Sequence, residues 1–382
     1  MPAALYLWAH AFEGGGTDTS SWESDIEEMA AGESAPYGVF DANGLQAAVL
    51  INAYEAHFGP DVILKMGGIG GVACLPASRG KGYARAGLRH ALEQMRDAGQ
   101  VISTLYPFSF AYYRKFGWEW VGIRRKYIVP TSVLQAGPET EFVRAATPED
   151  RPKIEDIYTQ YARNYRGMLA RTEKSWTDKL KDSKDKRTYT YLYEQDGKAE
   201  GYFSHRDVKE ETHLREFIAL TPRAERGLLG LLKRHEMQVK KFTWRAPEND
   251  ALWLRSPYHN NIEANITPVV QGRVVDIATA LQALKPKSAE NGAFTFALSD
   301  EHADWNAGIW RVEVESGHVA VRPATEAPQI SLDIQAFSQA FFGVPNANQL
   351  RDSDCLQVHD ETGFARFAAL LAGPPMFLSD SF

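Results

Sequence analysis

The segment Arg79-Gly80-Lys81-Gly82-Tyr83-Ala84 places two glycines and two cations directly after the apolar run Val72-Ala73-Cys74-Leu75-Pro76. A turn of that composition between a strand and a helix holds an anion. The first turn of a helix has unpaired N–H groups at the positive end of its dipole, and glycines let a bulky ligand approach the backbone. The result is a pyrophosphate cradle built mainly of backbone, with Arg79 and Lys81 adding charge. Two other phosphate motifs do not fit. A P-loop needs Gly-Lys followed by Ser or Thr, and here Gly80-Lys81 is followed by Gly82. Gly68-Ile69-Gly70-Gly71-Val72-Ala73 spells a dinucleotide fingerprint, but it leads into a strand-like run instead of opening a helix.

A second stretch with chemistry in it is Tyr106-Pro107-Phe108-Ser109-Phe110-Ala111-Tyr112-Tyr113-Arg114-Lys115-Phe116-Gly117-Trp118. A phenol has a pKa near ~10, so it is protonated at neutral pH and serves as a proton donor; the competing reading is a set of core aromatics. Phe108 in this stretch is a candidate wall of a substrate pocket. Cys74 and Cys355 are too few and too far apart for a disulfide framework or a zinc cluster, and the histidines lack metal-ligand spacing, so no metal is expected. His90 reads as an exposed polar residue, and Cys74 as a small buried hydrophobe.

The elements that position these residues follow from local signals. A helix is expected over Leu5–Phe12 and another over Trp22–Ala31, with a hairpin turning at Asn43-Gly44. Ile69–Leu75 reads as a strand. Ala84, Leu88, Ala91, Leu92 and Met95 then recur at helical spacing up to Gly99, and Val101–Leu105 is a further strand. A new unit starts near Phe142–Ala145, with Thr147-Pro148 opening a helix. The order then repeats: a hairpin at Asp196-Gly197, a strand ending before Pro222, and a helix. Aligning Pro222 on Pro76 puts Glu225 at the place of Arg79 and Leu228 at the place of Gly82. A carboxylate there repels pyrophosphate, so the second copy keeps the fold without the anion site, and one ligand per chain is expected. The polar linker 284–292 separates a third, smaller α+β unit.

With 382 residues, two or three domains are expected. The net charge of −7 and a pI near 5.9 speak against a nucleic-acid partner and suit a cationic substrate. The N-terminus lacks a basic leader, and no apolar run reaches the ~20 residues of a membrane span, so a soluble cytoplasmic protein without a membrane partner is expected.

The order strand, Pro, Arg79-x-x-Gly82-x-Ala84, helix, strand and Tyr-containing segment resembles motif A of the GNAT N-acetyltransferases. Two such units followed by a third resemble the Eis-like ("enhanced intracellular survival") acetyltransferases over nearly the whole chain. That likeness rests on Tyr112–Trp118, Tyr165–Arg171, Leu214–Leu220, Gly272–Leu281 and an end at Phe382. It implies tandem GNAT folds over 1–140 and 141–285, with a sterol-carrier-protein-like α+β domain over 286–382. It also implies a hexamer that moves acetyl from acetyl-CoA to a primary amine of an aminoglycoside, polyamine or lysine-like acceptor. The coenzyme would lie on Val72, Cys74, Arg79, Gly80, Lys81, Gly82, Tyr83 and Ala84. Tyr113 would be the general acid, the Phe382 α-carboxylate the base, and Asp380 a substrate contact. The family usually has a strand before the first helix, whereas this chain starts close to that helix. The rival reading is a non-catalytic acyl-CoA or lipid-binding module.

Overall fold

The computed structural model describes residues 2–12, 33–182, 187–256, 258–286 and 291–381. Helix α1 (Pro2–Phe12) comes first, and the helix expected over Trp22–Ala31 lies outside the described residues. The hairpin β1 (Ser34–Asp41) and β2 (Gly44–Phe58) turns where Asn43-Gly44 predicts, with Gly44 at φ 100°. Strand β3 (Ile63–Cys74) starts earlier than the expected Ile69. Helix α2 (Tyr83–Asp97) buries Leu88, Ala91, Leu92 and Met95, and Gly99 follows its end at φ 71°. Strand β4 (Ile102–Leu105), the short helix α3 (Phe110–Arg114) and β5 (Glu119–Pro130) complete the first unit's own elements.

The second unit runs β6 (Val143–Ala145), α4 (Arg151–Ala162), β7 (Arg166–Leu169), α5 (Glu173–Leu180), β8 (Tyr189–Gln195), β9 (Lys198–His205), β10 (Glu211–Ala219), α6 (Pro222–Lys233), β11 (Lys241–Ala246) and β12 (Glu263–Val274). Thr147 and Asp150 form a capping box ahead of α4, and Asp196-Gly197 turns the β8–β9 hairpin with φ 54° and 74°. The third unit holds α7 (Ile277–Gln282), β13 (Gly292–Ser299), β14 (Gly308–Glu315), β15 (His318–Pro323), β16 (Ile330–Asp333), α8 (Ile334–Phe342), α9 (Ala347–Asp352), β17 (Leu356–Val358) and α10 (Glu361–Leu371). A tail without regular structure follows to Ser381. No helix among the described residues is long and apolar enough to cross a membrane.

The first two units share one sheet in the order β1-β2-β3-β4-β12-β5-β11-β10-β9-β8-β6, with β7 paired to β2. Strand β12 of the second unit is inserted between β4 and β5 of the first, so each unit is completed by the other. The third unit has its own sheet, β15-β14-β13-β16-β17. It packs on the first through one apolar core: Phe58, Met66, Ile102 and Val121 of the large sheet meet Phe294, Phe296, Phe337 and Phe341. The Phe341 ring stacks on Phe58 at 4.8 Å.

Candidate active site

Strand β3 pairs with β4 in parallel only from Met66 to Ile69, and β4 ends at Leu105. From Gly70 to Cys74 it is paired on one side alone, with β2. In that stretch Leu50 faces Gly70 and Ala48 faces Ala73, so β3 carries one residue more than its partner. This is a bulge, and bulges bend and twist a strand away from its neighbour. Gly71 sits in it at φ 54°, and a Cβ there would lie 2.9 Å from Trp8 Nε1, which donates to the Gly71 carbonyl at 2.6 Å. Helix α1 thus clamps the bulge. The fork it opens leaves the backbone of Gly70, Gly71, Val72 and Cys74 without a strand partner on the β4 side. An extended arm with amide groups fits such an edge, as an added strand does. The dinucleotide-like glycines are therefore the residues of a strand bulge.

The anion turn follows immediately. Pro76–Ser78 form a single 3-10 turn, then Gly80 (φ 80°) and Gly82 (φ 89°) adopt left-handed backbone that other residues rarely take. No atom lies within 4 Å of a Cβ built on either glycine, so both face open space. Gly82 caps α2 without a side chain, which leaves the first N–H groups of a four-turn helix free. Tyr83 anchors the turn from below by donating to Asp41 Oδ2 at 2.6 Å. The site fits a pyrophosphate. The corresponding turn of the second unit does not. Thr221 caps α6 with its own hydroxyl, Glu225 in the first turn pairs with Arg255 at 2.7 Å, and Leu228 is buried.

Tyr113 is 4% exposed and packs in one cluster with Ile69 and Leu105, the last pair before the fork. Phe108 and Tyr112 stand edge-on to its ring at 5.4 and 5.2 Å. Its hydroxyl has no hydrogen-bond partner among the described residues, and burial, followed by Tyr112, pushes the phenol well above its usual pKa. Burial, followed by the nearby Cys74, raises the Tyr112 phenol above its usual pKa. Burial raises the Cys74 thiol, against a smaller opposite pull from Arg79, so it stays a neutral, partly buried group. Phe108 is exposed at the mouth of this cluster, and His90 is an exposed residue of α2.

Helix α3 is only five residues long and is held from outside. Ser109 caps it. Gln271 of β12 donates to the Phe110 carbonyl at 3.1 Å, Gln335 to Arg114 at 3.0 Å, and Arg273 to Phe116; His302 lies 2.8 Å from the Lys115 carbonyl. Arg273 is fully buried and forms a two-pronged pair with Asp300 at 2.6 and 2.8 Å. The second and third units therefore fix the segment that carries Tyr113.

The tail runs back across the first two units. Arg166, fully enclosed and lowered to about 10 by burial, donates to the Phe341 and Leu371 carbonyls. Its backbone bonds Pro375 and Phe377 on either side of Met376. Asp380 is then gripped by Arg171 at 2.8 Å and Lys179 at 3.2 Å, while Tyr106 donates to its carbonyl. Glu216, 4% exposed, completes a buried quartet with Arg171 and Lys179. Burial alone would raise the Asp380 carboxyl, but Arg171 and Lys179 hold it well below the usual carboxylate range. Asp380, Ser379 and Ser381 line a cavity of about 710 Å3 together with Gly70 and Gly71 of the fork. That volume falls within the roughly 300–1,000 Å3 of small-molecule sites. Phe382 lies outside the described residues. Sequence reading had no role for Arg171, Lys179, Glu216 or Arg273. Their signal was faint: Arg171 and Glu216 stand in short apolar segments where a charge needs a buried partner.

Comparisons with known proteins agree with this geometry. Residues 1–121 and 167–274 each match an acetyltransferase (GNAT) domain, and residues 277–379 match a sterol carrier protein domain. The N-acetyltransferases Eis of Mycobacterium tuberculosis and Mycobacterium bovis are 23% identical over 349 residues, covering 82% of this chain and 79% of theirs. Similar solved structures include a GCN5-related N-acetyltransferase from Anabaena variabilis (TM-score 0.88, 21% identity) and a probable N-acyltransferase from Enterococcus faecalis (0.88, 24%). Eis1 from Mycobacterium abscessus is a third (0.80, 18%). Each of the three alignments covers 100% of this chain and 97% of the other.

Proposed function

We propose that this chain, an Eis-like member of the GNAT acetyltransferases, transfers the acetyl group of acetyl-CoA to a primary amine. The observation that carries the reading is the cavity that joins the strand fork to the charged tail. Acetyl-CoA supplies the acetyl thioester: the amine nitrogen bonds the acetyl carbon, and the carbon–sulfur bond breaks to leave a thiolate. Gly80, Gly82 and the free N–H groups of α2 hold the pyrophosphate, with Arg79 and Lys81 beside it. Val72 and Cys74 present backbone to the pantetheine arm.

Tyr113 delivers the proton to the leaving sulfur. Its hydroxyl has no hydrogen-bond partner among the described residues and keeps its proton across the physiological range. The transfer is uphill, because a free thiol has a pKa near ~8.5, so the phenolate regains its proton from water during turnover. The amine gives up its proton to a carboxylate. Asp380 is ill suited, since a carboxylate held below its usual pKa by two cations is a weak base. It serves instead to hold the tail. The base in this proposal is the α-carboxylate of Phe382, one residue beyond Ser381 in the cavity wall. An oxygen-bound general base contributes typically 10²–10⁴-fold. Adding a few residues beyond Phe382 is therefore expected to slow thiol release from acetyl-CoA by at least about 10²-fold without weakening coenzyme binding. Equal rates for both forms would place the base elsewhere. Coenzyme binding with no turnover of any amine would favour a non-catalytic module.

A further inference from the structure

Four side chains close a ring beneath the coenzyme turn. Ser78, at its start, donates its hydroxyl to Gln46 Oε1 on β2. Gln46 Nε2 donates to Asp41 Oδ1 at 2.9 Å and to the Gly44 carbonyl at 3.1 Å. Asp41, the last residue of β1, accepts at Oδ2 from the hydroxyl of Tyr83, which opens α2. The Asn43 N–H donates to Asp41 Oδ1 at 2.7 Å and keeps the carboxylate on the hairpin. The Tyr83 hydroxyl, followed by the Asn43 N–H, holds the Asp41 carboxyl below its usual range, with a smaller pull from Lys81 of the turn. Ser78 and Gln46 are both 5% exposed, whereas 79–82 are exposed throughout. Both ends of the turn are thus tied to one hairpin, and its middle faces solvent.

The turn needs such anchors. Gly80 and Gly82 lose more conformational freedom on ordering than other residues do. The backbone hydrogen bonds of Arg79 and Lys81 are long, 3.3 Å to the Pro76 carbonyl and 3.4 Å to that of Ser78. A turn that wanders must be ordered by its ligand, and that cost lowers affinity. The second unit is an internal control. In the alignment that sets Pro222 on Pro76, Ala224 takes the place of Ser78 and Leu229 that of Tyr83. The copy that lost the anion turn lacks both anchors and keeps its strand and helix. The ring therefore goes with the turn and not with the fold.

Resting on the coenzyme reading above, we propose that Asp41 is a positioning residue of the acetyl-CoA site: through Gln46 to Ser78, and through Tyr83, it holds the turn in the shape that receives the pyrophosphate. Its charge and its anchoring act with opposite signs. A carboxylate beside Lys81 has the same sign as the pyrophosphate, so as a charge alone its removal would tighten coenzyme binding. As an anchor, its removal weakens it.

The test reads acetyl-CoA affinity by calorimetry, and thiol release from two donors with a primary amine that the wild type acetylates. The donors are acetyl-CoA and S-acetylpantetheine, which has the same thioester and arm without the pyrophosphate. Asp41→Ala is expected to raise the acetyl-CoA Kd about tenfold, with kcat changed far less, and to leave kcat/KM for S-acetylpantetheine within about twofold. Asp41→Asn is equally uncharged but keeps an oxygen for Gln46 and a polar group for Tyr83, so it is expected to restore part of the affinity. Tyr83→Phe weakens acetyl-CoA binding as well, and the double variant Asp41→Ala/Tyr83→Phe falls short of the product of the two single effects, because both remove one shared bond. Tighter or unchanged acetyl-CoA binding by Asp41→Ala overturns the proposal. So does an equal loss with both donors, which marks a loosened first unit. If the wild type binds acetyl-CoA but acetylates no amine, the catalytic reading fails and the Kd values of the Asp41 variants still decide the ring. If the wild type does not bind acetyl-CoA, the coenzyme site falls, and this role with it.

Discussion

Replacing Arg171 with Met isolates what holds the tail. The guanidinium is 1% exposed and lies 2.8 Å from Asp380, beside Glu216 and over the Tyr158 ring at 3.8 Å. Met keeps much of the apolar volume and removes the charge, leaving two buried carboxylates with Lys179 alone. Breaking a buried pair by removing one partner costs about 3–5 kcal/mol. For a chain of this size that is on the order of 5 °C in apparent Tm at pH 7. The pH dependence carries the diagnosis. In the wild type the folded pKa values of Glu216 and Asp380 lie below their unfolded values, so their stabilisation is present at neutral pH and is lost only as pH falls below the ordinary carboxylate range. In the variant, Lys179 alone opposes burial for two carboxylates, so at least one carboxyl rises above its unfolded value and the folded state regains stability as pH is lowered from 7 toward 5. The Tm gap between the two proteins therefore narrows on acidification. Thermal melts at both pH values, with carboxypeptidase sensitivity of the tail, read it out. A gap under about 2 °C that does not change with pH refutes the quartet as the anchor.

Gly82→Val forces a β-branched residue into left-handed backbone at φ 89° and fills the open face of the turn. Strain of about 1–3 kcal/mol and a rise of at least tenfold in the acetyl-CoA Kd are expected, by calorimetry. Gly117→Ala places a Cβ 1.6 Å from Arg273 Nη1, so the Arg273–Asp300 pair must shift; kcat is expected to fall more than coenzyme affinity, because α3 moves and the Gly82 turn does not. The log of kcat/KM rises with pH toward the acceptor's own pKa, near ~10.4 for an alkylamine, as the neutral amine becomes available. No falling limb attributable to Tyr113 appears below about pH 10, because burial raises that phenol. A falling limb below that pH that Tyr113→Phe removes would contradict this. Equilibrium titration gives one acetyl-CoA per chain, since Glu225 and the Thr221 cap occupy the second turn.

The parts of the site written in adjacent residues were legible. Pro76, Gly80 and Gly82 announce a strand end and left-handed turns through local backbone preferences, and Glu225 and Leu228 announce the lost second turn. The bulge at Gly71 was spelled in glycines, but only its pairing with β2 shows what they do. The insertion of β12 was out of reach, because Gln271 meets Leu105 across the sheet and nothing local encodes that register. The same holds for Arg273, whose partners Asp300 and Phe116 lie on different units, and for the Arg171 quartet, which gathers residues from α5, β10 and the tail. Long-range pairs of charges leave only an isolated polar letter in an apolar segment, and such a letter does not name its partner.

The most direct measurement is thiol release from acetyl-CoA in the presence of primary amines, wild type against Tyr113→Phe, with coenzyme affinity measured on both. The Tyr113 hydroxyl bonds no described residue, so its removal should leave Tm and the acetyl-CoA Kd nearly unchanged. The account predicts amine-dependent release by the wild type and a kcat about 10²-fold lower in the variant. Release at equal rates in both proteins, or coenzyme binding with no amine acetylated, would contradict it.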